Sequence, residues 1–285
     1  MRWLITGAAG MLGRELSARL QAAGAEVVAL TRADLDLLDE PAVRRTVAAC
    51  APDVVANCAA WTAVDDAETA EEAALAINGR AVAVLAEICA ARGIPLVQPS
   101  TDYVFPGTAT APYPEDAPTA PLNAYGRTKL AGERAVLAAG AGYVVRTAWL
   151  YGAHGPSFVR TMVRLSRERE TLTVVDDQRG QPTWTGDLAE RIIALVDSGA
   201  PFGVHHATNS GETTWYGLAR EVFALLGEDP DRVRPTTSEN FPRPAARPAY
   251  SVLAQDPARA PGLPPMRHWR KALHAAWPEL IAAWS

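Results

Sequence analysis

Through the first half of the chain, short apolar runs alternate with longer stretches whose apolar positions recur every three or four residues. A short run that is apolar at successive positions reads as a strand covered on both faces. The longer period reads as a helix with one buried face. Strands are expected over residues 3–6, 26–30, 54–56, 95–98 and 143–147, with helices over 10–23, 41–49, 70–92 and 125–138 between them. Such alternation predicts an α/β fold, a doubly wound parallel sheet of Rossmann-like type. Beyond Trp149 the rhythm loosens into helices over 158–168, 187–196 and 215–226, a strand over 172–175 and a proline-rich run from Pro235 to Pro265. We therefore expect a sheet domain over 1–150 that also receives about 170–200, and a smaller C-terminal lobe built mainly from 151–285.

Composition narrows this reading. With 48% hydrophobic and 21% charged residues the chain has the makeup of an ordinary globular enzyme, and a formal charge of −5 gives no electrostatic ground for nucleic acid as a partner. Met1 leads straight into the first expected strand, and no run of about eighteen uninterrupted apolar residues occurs. The expectation is a cytoplasmic protein that does not engage a membrane. Cys50, Cys58 and Cys89 lack metal-ligand spacing and sit in apolar or helical surroundings, as buried thiols in a reducing compartment do.

Candidate chemistry begins at the first turn. The strand ending at Thr6 runs into Gly7-Ala-Ala-Gly10-Met11-Leu12-Gly13. In this order Gly7 makes a tight turn, Gly10 lets backbone N–H groups approach a pyrophosphate, and Gly13 lets the next helix pack closely, which together point to a bound dinucleotide. The end of the second strand selects the cofactor: an acid there would bond a ribose hydroxyl, and a cation would accept a 2′-phosphate. The chain has Thr31 and Arg32, which favours NADPH; Asp34 or Asp36 serving the ribose would favour NADH, and that alternative stays open. The Asn57-Cys-Ala-Ala60-Trp61-Thr62 segment follows the third strand, where small residues would let the dinucleotide lie close, or let strands pack closely.

Tyr125 and Lys129 stand four residues apart at the opening of an expected helix, and so share one face. A phenol beside an ammonium suits proton exchange with a substrate oxygen. Ser100 and Thr101, placed after the strand over 95–98, bring a hydroxyl to the same edge of the sheet and complete a Thr101, Tyr125, Lys129 set.

These residues resemble the extended short-chain dehydrogenases/reductases and, within them, the dTDP-4-dehydrorhamnose reductase family. The marks run along nearly the whole chain: the glycine turn over 7–13, N57-C-A-A-W-T-A-V-D65, S100-T-D-Y-V-F105, P121-L-N-A-Y-G-R-T-K-L-A-G-E133, R146-T-A-W-L-Y151, D177-Q-R-G-Q-P-T183, T213-T-W-Y216 and R247-P-A-Y-S-V-L253. The resemblance implies Thr101, Tyr125 and Lys129 as the catalytic set, with Thr101, Asp102 and Trp149 meeting the sugar. It implies Gly10, Met11, Leu12, Asp36, Leu37, Ala60, Trp61 and Thr62 as cofactor contacts, together with Tyr125 and Lys129. Arg247 would neutralise the sugar-nucleotide pyrophosphate, or else pin a loop; Trp149 would stack on the sugar, or else belong to the core. Some relatives carry an acid where this chain has Thr31, which again leans the cofactor toward NADPH. Some hold Mg²⁺ through glutamates at a dimer contact. Glu15 and Glu190 match such positions in outline, but two exposed carboxylates are an ordinary solvated surface, and no metal is expected.

The implied reaction reduces the 4-keto group of dTDP-4-dehydro-β-L-rhamnose to dTDP-L-rhamnose, with Tyr125 as proton donor and Thr101 aligning the carbonyl. Lys129 and an oxidised nicotinamide favour the phenolate, and lowering the phenol by about three pH units would correspond to roughly 4 kcal/mol of charge stabilisation; in the reductive direction Tyr125 begins protonated. A sugar-nucleotide dehydratase or epimerase is the nearest alternative, but Tyr103 stands where resembling dehydratases have an acid. A non-catalytic regulatory subunit is the other, since this fold also resembles that of the regulatory subunit of methionine adenosyltransferase; retention of all three catalytic candidates argues against it. Apolar faces on the helices over 70–92 and 125–138 would pack internally or against a second copy in a homodimer.

Overall fold

The structure is a computed structural model and describes residues 1–284. Its first half contains strands β1 (Arg2–Thr6), β2 (Glu26–Leu30), β3 (Val54–Asn57), β4 (Leu96–Thr101) and β5 (Gly142–Thr147). Between them run helices α1 (Met11–Ala22), α2 (Glu40–Cys50), α3 (Val64–Ala67), α4 (Glu71–Leu75), α5 (Ala81–Ala91) and α6 (Ala124–Ala139). The second half adds β6 (Leu150–Tyr151), α7 (Phe158–Glu168), β7 (Leu172–Val175), β8 (Arg179–Gly180), β9 (Thr183–Trp184) and α8 (Thr185–Asp197). It continues through β10 (Gly203–His206), β11 (Thr213–Thr214), α9 (Trp215–Leu225), β12 (Val233–Thr236) and α10 (Trp269–Trp284).

Six strands form one parallel sheet in the order β10-β5-β4-β3-β1-β2. Because successive side chains of a strand point to opposite faces, β1 feeds two cores. Trp3 and Ile5 pack with Leu12, Leu16 and Leu20 of α1 and Leu188 and Ile192 of α8. Leu4, between them, packs with Val43 and Val47 of α2 and Val82 and Leu85 of α5. The sheet is thus covered on both sides, as its apolar strands require. A further core is built from α7, α9, α10, β7 and β12 around Val163, Val222, Phe223 and Leu273. The chain winds outward from β1 to β2, then returns to the other side of β1 for β3. The loops leaving β1 and β3 touch at their bases and then run to opposite faces of the sheet, opening a crevice at the carboxyl edge, where ligands of doubly wound sheets bind.

Four features differ from the expectation. Strand β4 continues through Pro99 to Thr101, so Ser100 and Thr101 lie within its last residues and pair with Arg146 and Thr147 of β5. Proline breaks an apolar pattern, but its fixed φ suits extended chain. The helix over 70–92 contains a π turn at Ala76–Arg80, a local widening that carries Asn78. Strand β10 was not foreseen because its sequence, GVHH, has no strand-like run; pairing with β5 along Tyr143–Arg146 makes it a strand. Helix α10, which carries Pro278 inside it, was also not foreseen. The segment Glu71–Ala91 is long and apolar enough to cross a membrane, with mean hydropathy 1.6, yet half of that window is buried inside the fold. Its apolar residues pack against the sheet and α2, and Val136 of α6 joins the same core.

Candidate active site

Gly7 heads the crevice in a left-handed conformation, φ 65°, and its carbonyl accepts from the Gly10 N–H at 2.9 Å, closing the turn. A Cβ at Gly7 would stand 2.6 Å from Ala59 Cα, and one at Gly13 would stand 2.8 Å from Ala8 Cα. The cradle exists only because these side chains are absent. Helix α1 starts at Met11 with no acid in its first turn, leaving its N-terminal N–H groups and dipole free for an anion. Leu12 is in the core, as is Leu37, so what they offer a ligand is backbone alone. At the end of β2, Asp34 is turned onto Thr31, accepting from its N–H (2.9 Å) and its hydroxyl (2.7 Å), and Asp36 accepts from Leu38 N–H (3.0 Å). Arg32 is exposed and makes no ion pair among the described residues. A cradle that a Cβ would fill and an unneutralised cation at the ribose end fit NADPH.

Below the crevice a buried chain of side-chain hydrogen bonds crosses three strands. Thr6 donates to Asn57 (2.6 Å), Asn57 to Gln98 (2.7 Å), and Gln98 to the Pro99 carbonyl (3.0 Å). Beside it Asn78 accepts from Trp61 N–H (2.9 Å) and donates to the Trp61 carbonyl and to Thr128 (3.0 and 3.1 Å). The π turn thereby fastens the loop carrying Ala60, Trp61 and Thr62 to helix α6. Sequence reasoning passed over Asn78, whose only signal was a buried amide in an otherwise apolar helix.

Helix α6 opens with Asn123, whose side chain accepts from Gly126 N–H (2.8 Å), and this cap sets Tyr125 in the first turn and Lys129 in the second. The Thr101 hydroxyl is near enough to the Tyr125 phenol to favour its ionised form. It donates to Asp102 (3.0 Å) and accepts from Tyr103 N–H (3.1 Å). Lys129 is 5% exposed and donates to the Pro99 carbonyl at 2.8 Å. The structure thus brings Thr101, Asp102, Tyr125 and Lys129 to one edge of the sheet. In the protein by itself the Tyr125 phenol is pushed up, because burial and the Asp102 carboxylate outweigh the opposing Thr101 hydroxyl, so the phenol starts protonated. Burial also pulls Lys129 down to about 8.

Beyond Lys129 lies a buried ion pair that sequence reasoning left out. Glu133 and Arg146 are 1% and 4% exposed, joined at 2.7 Å, with Ser100 donating to the same carboxylate at 2.5 Å.

The remaining candidates are engaged by the protein. Arg247 is paired with Asp65 of α3, through a second contact at 3.0 Å, and so ties the C-terminal loop across to α3. Of the two roles weighed for it, the loop tie is the one formed here. Trp149 adopts a left-handed backbone, φ 47°, and stacks flat on Trp215 with ring centroids 3.5 Å apart. Gly180 lies against it, leaving no room for a side chain there. Glu15 and Glu190 are both paired with Arg19. A separate hollow lined by Arg191, His205, His206 and the loop over 257–265 holds none of the candidate residues.

A parallel sheet with its glycine crevice at the reversal of strand order, and a Tyr–Lys helix beside it, is an extended short-chain dehydrogenase/reductase architecture. The chain belongs to the family described as RmlD substrate binding domain, whose model matches residues 1–281. It is 58% identical over 285 residues to a dTDP-4-dehydrorhamnose reductase of Streptomyces griseus, covering 98% of this chain and 94% of that one. It is 56% identical over 283 residues to a dTDP-4-keto-6-deoxy-D-glucose reductase of Streptomyces niveus, covering 99% and 98%. A solved structure of dTDP-4-dehydrorhamnose reductase from Bacillus anthracis, in complex with NADP, matches with a TM-score of 0.94 at 36% identity, covering 98% and 99%.

Proposed function

We propose that this chain reduces the 4-keto group of dTDP-4-dehydro-β-L-rhamnose with NADPH, giving dTDP-L-rhamnose. The observation that carries the reading is the meeting of the Thr101 hydroxyl and the Tyr125 phenol at the end of β4, with Lys129 one turn further along α6. The NADP in the Bacillus anthracis reductase and the names of both Streptomyces relatives support it. The Gly7–Gly13 cradle and the α1 N-terminus would hold the pyrophosphate, and Arg32 the 2′-phosphate.

When bound, NADPH supplies the hydride for sugar C4. Thr101, turned from Asp102 to the cleft, donates to the ketone oxygen and fixes its position. Burial keeps Tyr125 protonated, and the phenol gives that proton to the same oxygen as it gains charge. The Lys129 ammonium, with one of its three donors spent on Pro99, then favours the phenolate left behind. Tyr103, in the position of a dehydratase acid, offers no carboxylate to remove water. The three cysteines are free, in keeping with a reducing cytoplasm.

The test follows loss of NADPH absorbance with the 4-keto rhamnose nucleotide, and in parallel with dTDP-4-keto-6-deoxy-D-glucose, for wild type and Tyr125→Phe. Wild type is expected to consume NADPH fastest with the rhamnose precursor, and the variant to lose at least about 100-fold in kcat. Equal rates for the two proteins would remove Tyr125 from the mechanism; no consumption with either sugar would overturn the reading.

A further inference from the structure

Lys129 is one of only two lysines in the chain, the other being Lys271; every other cationic side chain among its Lys and Arg positions is arginine. Arginine keeps its charge at any pH a cell meets, whereas a buried lysine readily gives its proton up. The hydrogen-bond partner of Lys129 is a neutral carbonyl, that of Pro99, which would accept from an amine as well as from an ammonium ion. Something else must hold the proton. Cys58, from the end of β3, is pushed up to about 12 by burial and is a neutral thiol. Tyr125, on the same helix, is a neutral phenol. Asn78 of the π turn and Val82 of α5 pack against Gly132, one turn along α6, and neither is charged. Asp102, at the same edge of the sheet, acts on Tyr125 and not on Lys129, which leaves Glu133, one turn further along α6.

Glu133 is gripped from two neighbouring strands. Arg146 of β5 grips both its oxygens, through Nε at 3.0 Å and Nη2 at 2.7 Å, and Ser100 of β4 donates at 2.5 Å. Behind Arg146 stand the Glu115 carbonyl at 3.0 Å and His206 of β10 at 3.5 Å; the Glu115 carboxylate lies 4.0 Å from His206 Nδ1. Burial first, then Arg146, brings His206 down to about 3, so that ring adds no charge.

We propose that Glu133 is a positioning residue whose carboxylate keeps Lys129 an ammonium ion, and that Arg146 and Ser100 hold that carboxylate in place. The proposal rests on the reductase reading, in which that ammonium stands by Tyr125. Burial is the larger influence on Lys129, bringing it to about 8, and Glu133 is the main group opposing it. The competing explanation is that Glu133 and Arg146 form a structural bolt with no bearing on the lysine.

Protein labelled with ¹³C and ¹⁵N in lysine alone will show two side-chain amines, with exposed Lys271 as an internal control. The Glu133→Gln/Arg146→Gln double variant removes both charges together, so no guanidinium is left orphaned and the two amides are able to bond. In it Lys129 is expected to titrate about one pH unit or more below wild type, with Lys271 unmoved. The ammonium form is lost as pH rises through the lysine's pKa, so the alkaline limb of kcat/KM should begin its fall correspondingly earlier. Glu133→Asp, which keeps the charge, should restore the position of that limb even where the rate itself drops. An unmoved Lys129 in the double variant, or an equal shift in Glu133→Asp, would overturn the proposal. The titration needs no turnover, so it is read independently of whether the wild type reduces a sugar nucleotide.

Discussion

Gly7 and Ala59 meet so closely at the head of the crevice that a Cβ on Gly7 would stand 2.6 Å from Ala59 Cα. The loops after β1 and β3 are in backbone contact there, and Gly7 also holds φ 65°. Gly7→Ala meets both obstacles at once, a left-handed backbone costing about 1–2 kcal/mol and an overpacked contact costing about as much again. The variant is expected to have a lower Tm and to lose the Tm increase that NADPH gives the wild type. Thermal denaturation with and without NADPH checks this; a wild-type ligand shift in the variant would show that the cradle is not at Gly7.

Arg32 is exposed and unpaired among the described residues, while its acidic neighbours Asp34 and Asp36 are turned onto nearby backbone and Thr31. A charged hydrogen bond to a 2′-phosphate is worth about 1.5–3 kcal/mol. Arg32→Ala should therefore raise KM for NADPH by roughly 10- to 100-fold, with KM for NADH nearly unchanged. Steady-state kinetics with both cofactors decides it, and an equal change in the two would place the 2′-phosphate elsewhere.

Asp102 is 2% exposed, and burial pushes its carboxyl up to about 6 against the pull of the Ser251 and Thr101 hydroxyls. Its Oδ2 has no hydrogen-bond partner. A carboxyl that holds its proton more tightly when folded favours the fold most where it is protonated. That contribution is complete below about pH 4 and is lost as pH rises through about 6. Across the whole range it amounts to about 3 kcal/mol. Urea unfolding at about pH 5 and about pH 7.5 should show wild type losing about 1–2 kcal/mol that Asp102→Asn does not lose. Parallel pH dependence in the two proteins would mean that Asp102 is ionised throughout.

The glycine spacing over 7–13 and the Tyr125–Lys129 pair were legible in the sequence because each is a local device. A turn needs its glycines within a few residues of each other, and a helix face repeats every fourth. The residues that hold these devices in place were not legible. Thr6 bonds Asn57 at a separation of 51 residues, and Asn78 bonds Thr128 at a separation of 50. Such partners are chosen by strand order and helix packing, which no local pattern states. Strand β10 shows the same limit within the sheet itself, since GVHH becomes a strand only because the edge of β5 is there to pair with it.

The amino-acid order alone settled the alternation of strands and helices, the crevice-forming turn, and which side chains are able to do proton chemistry, because backbone preference and periodicity act between near neighbours. Burial was decided only by the assembled fold, and with it the charge each group carries. Desolvation raises the Tyr125 phenol in the protein by itself, and no local pattern states that burial. Arg247 is a cation in the sequence, but the fold delivers it to Asp65. Electrostatic environment depends on what surrounds a group in three dimensions, and those surroundings come from every part of the chain.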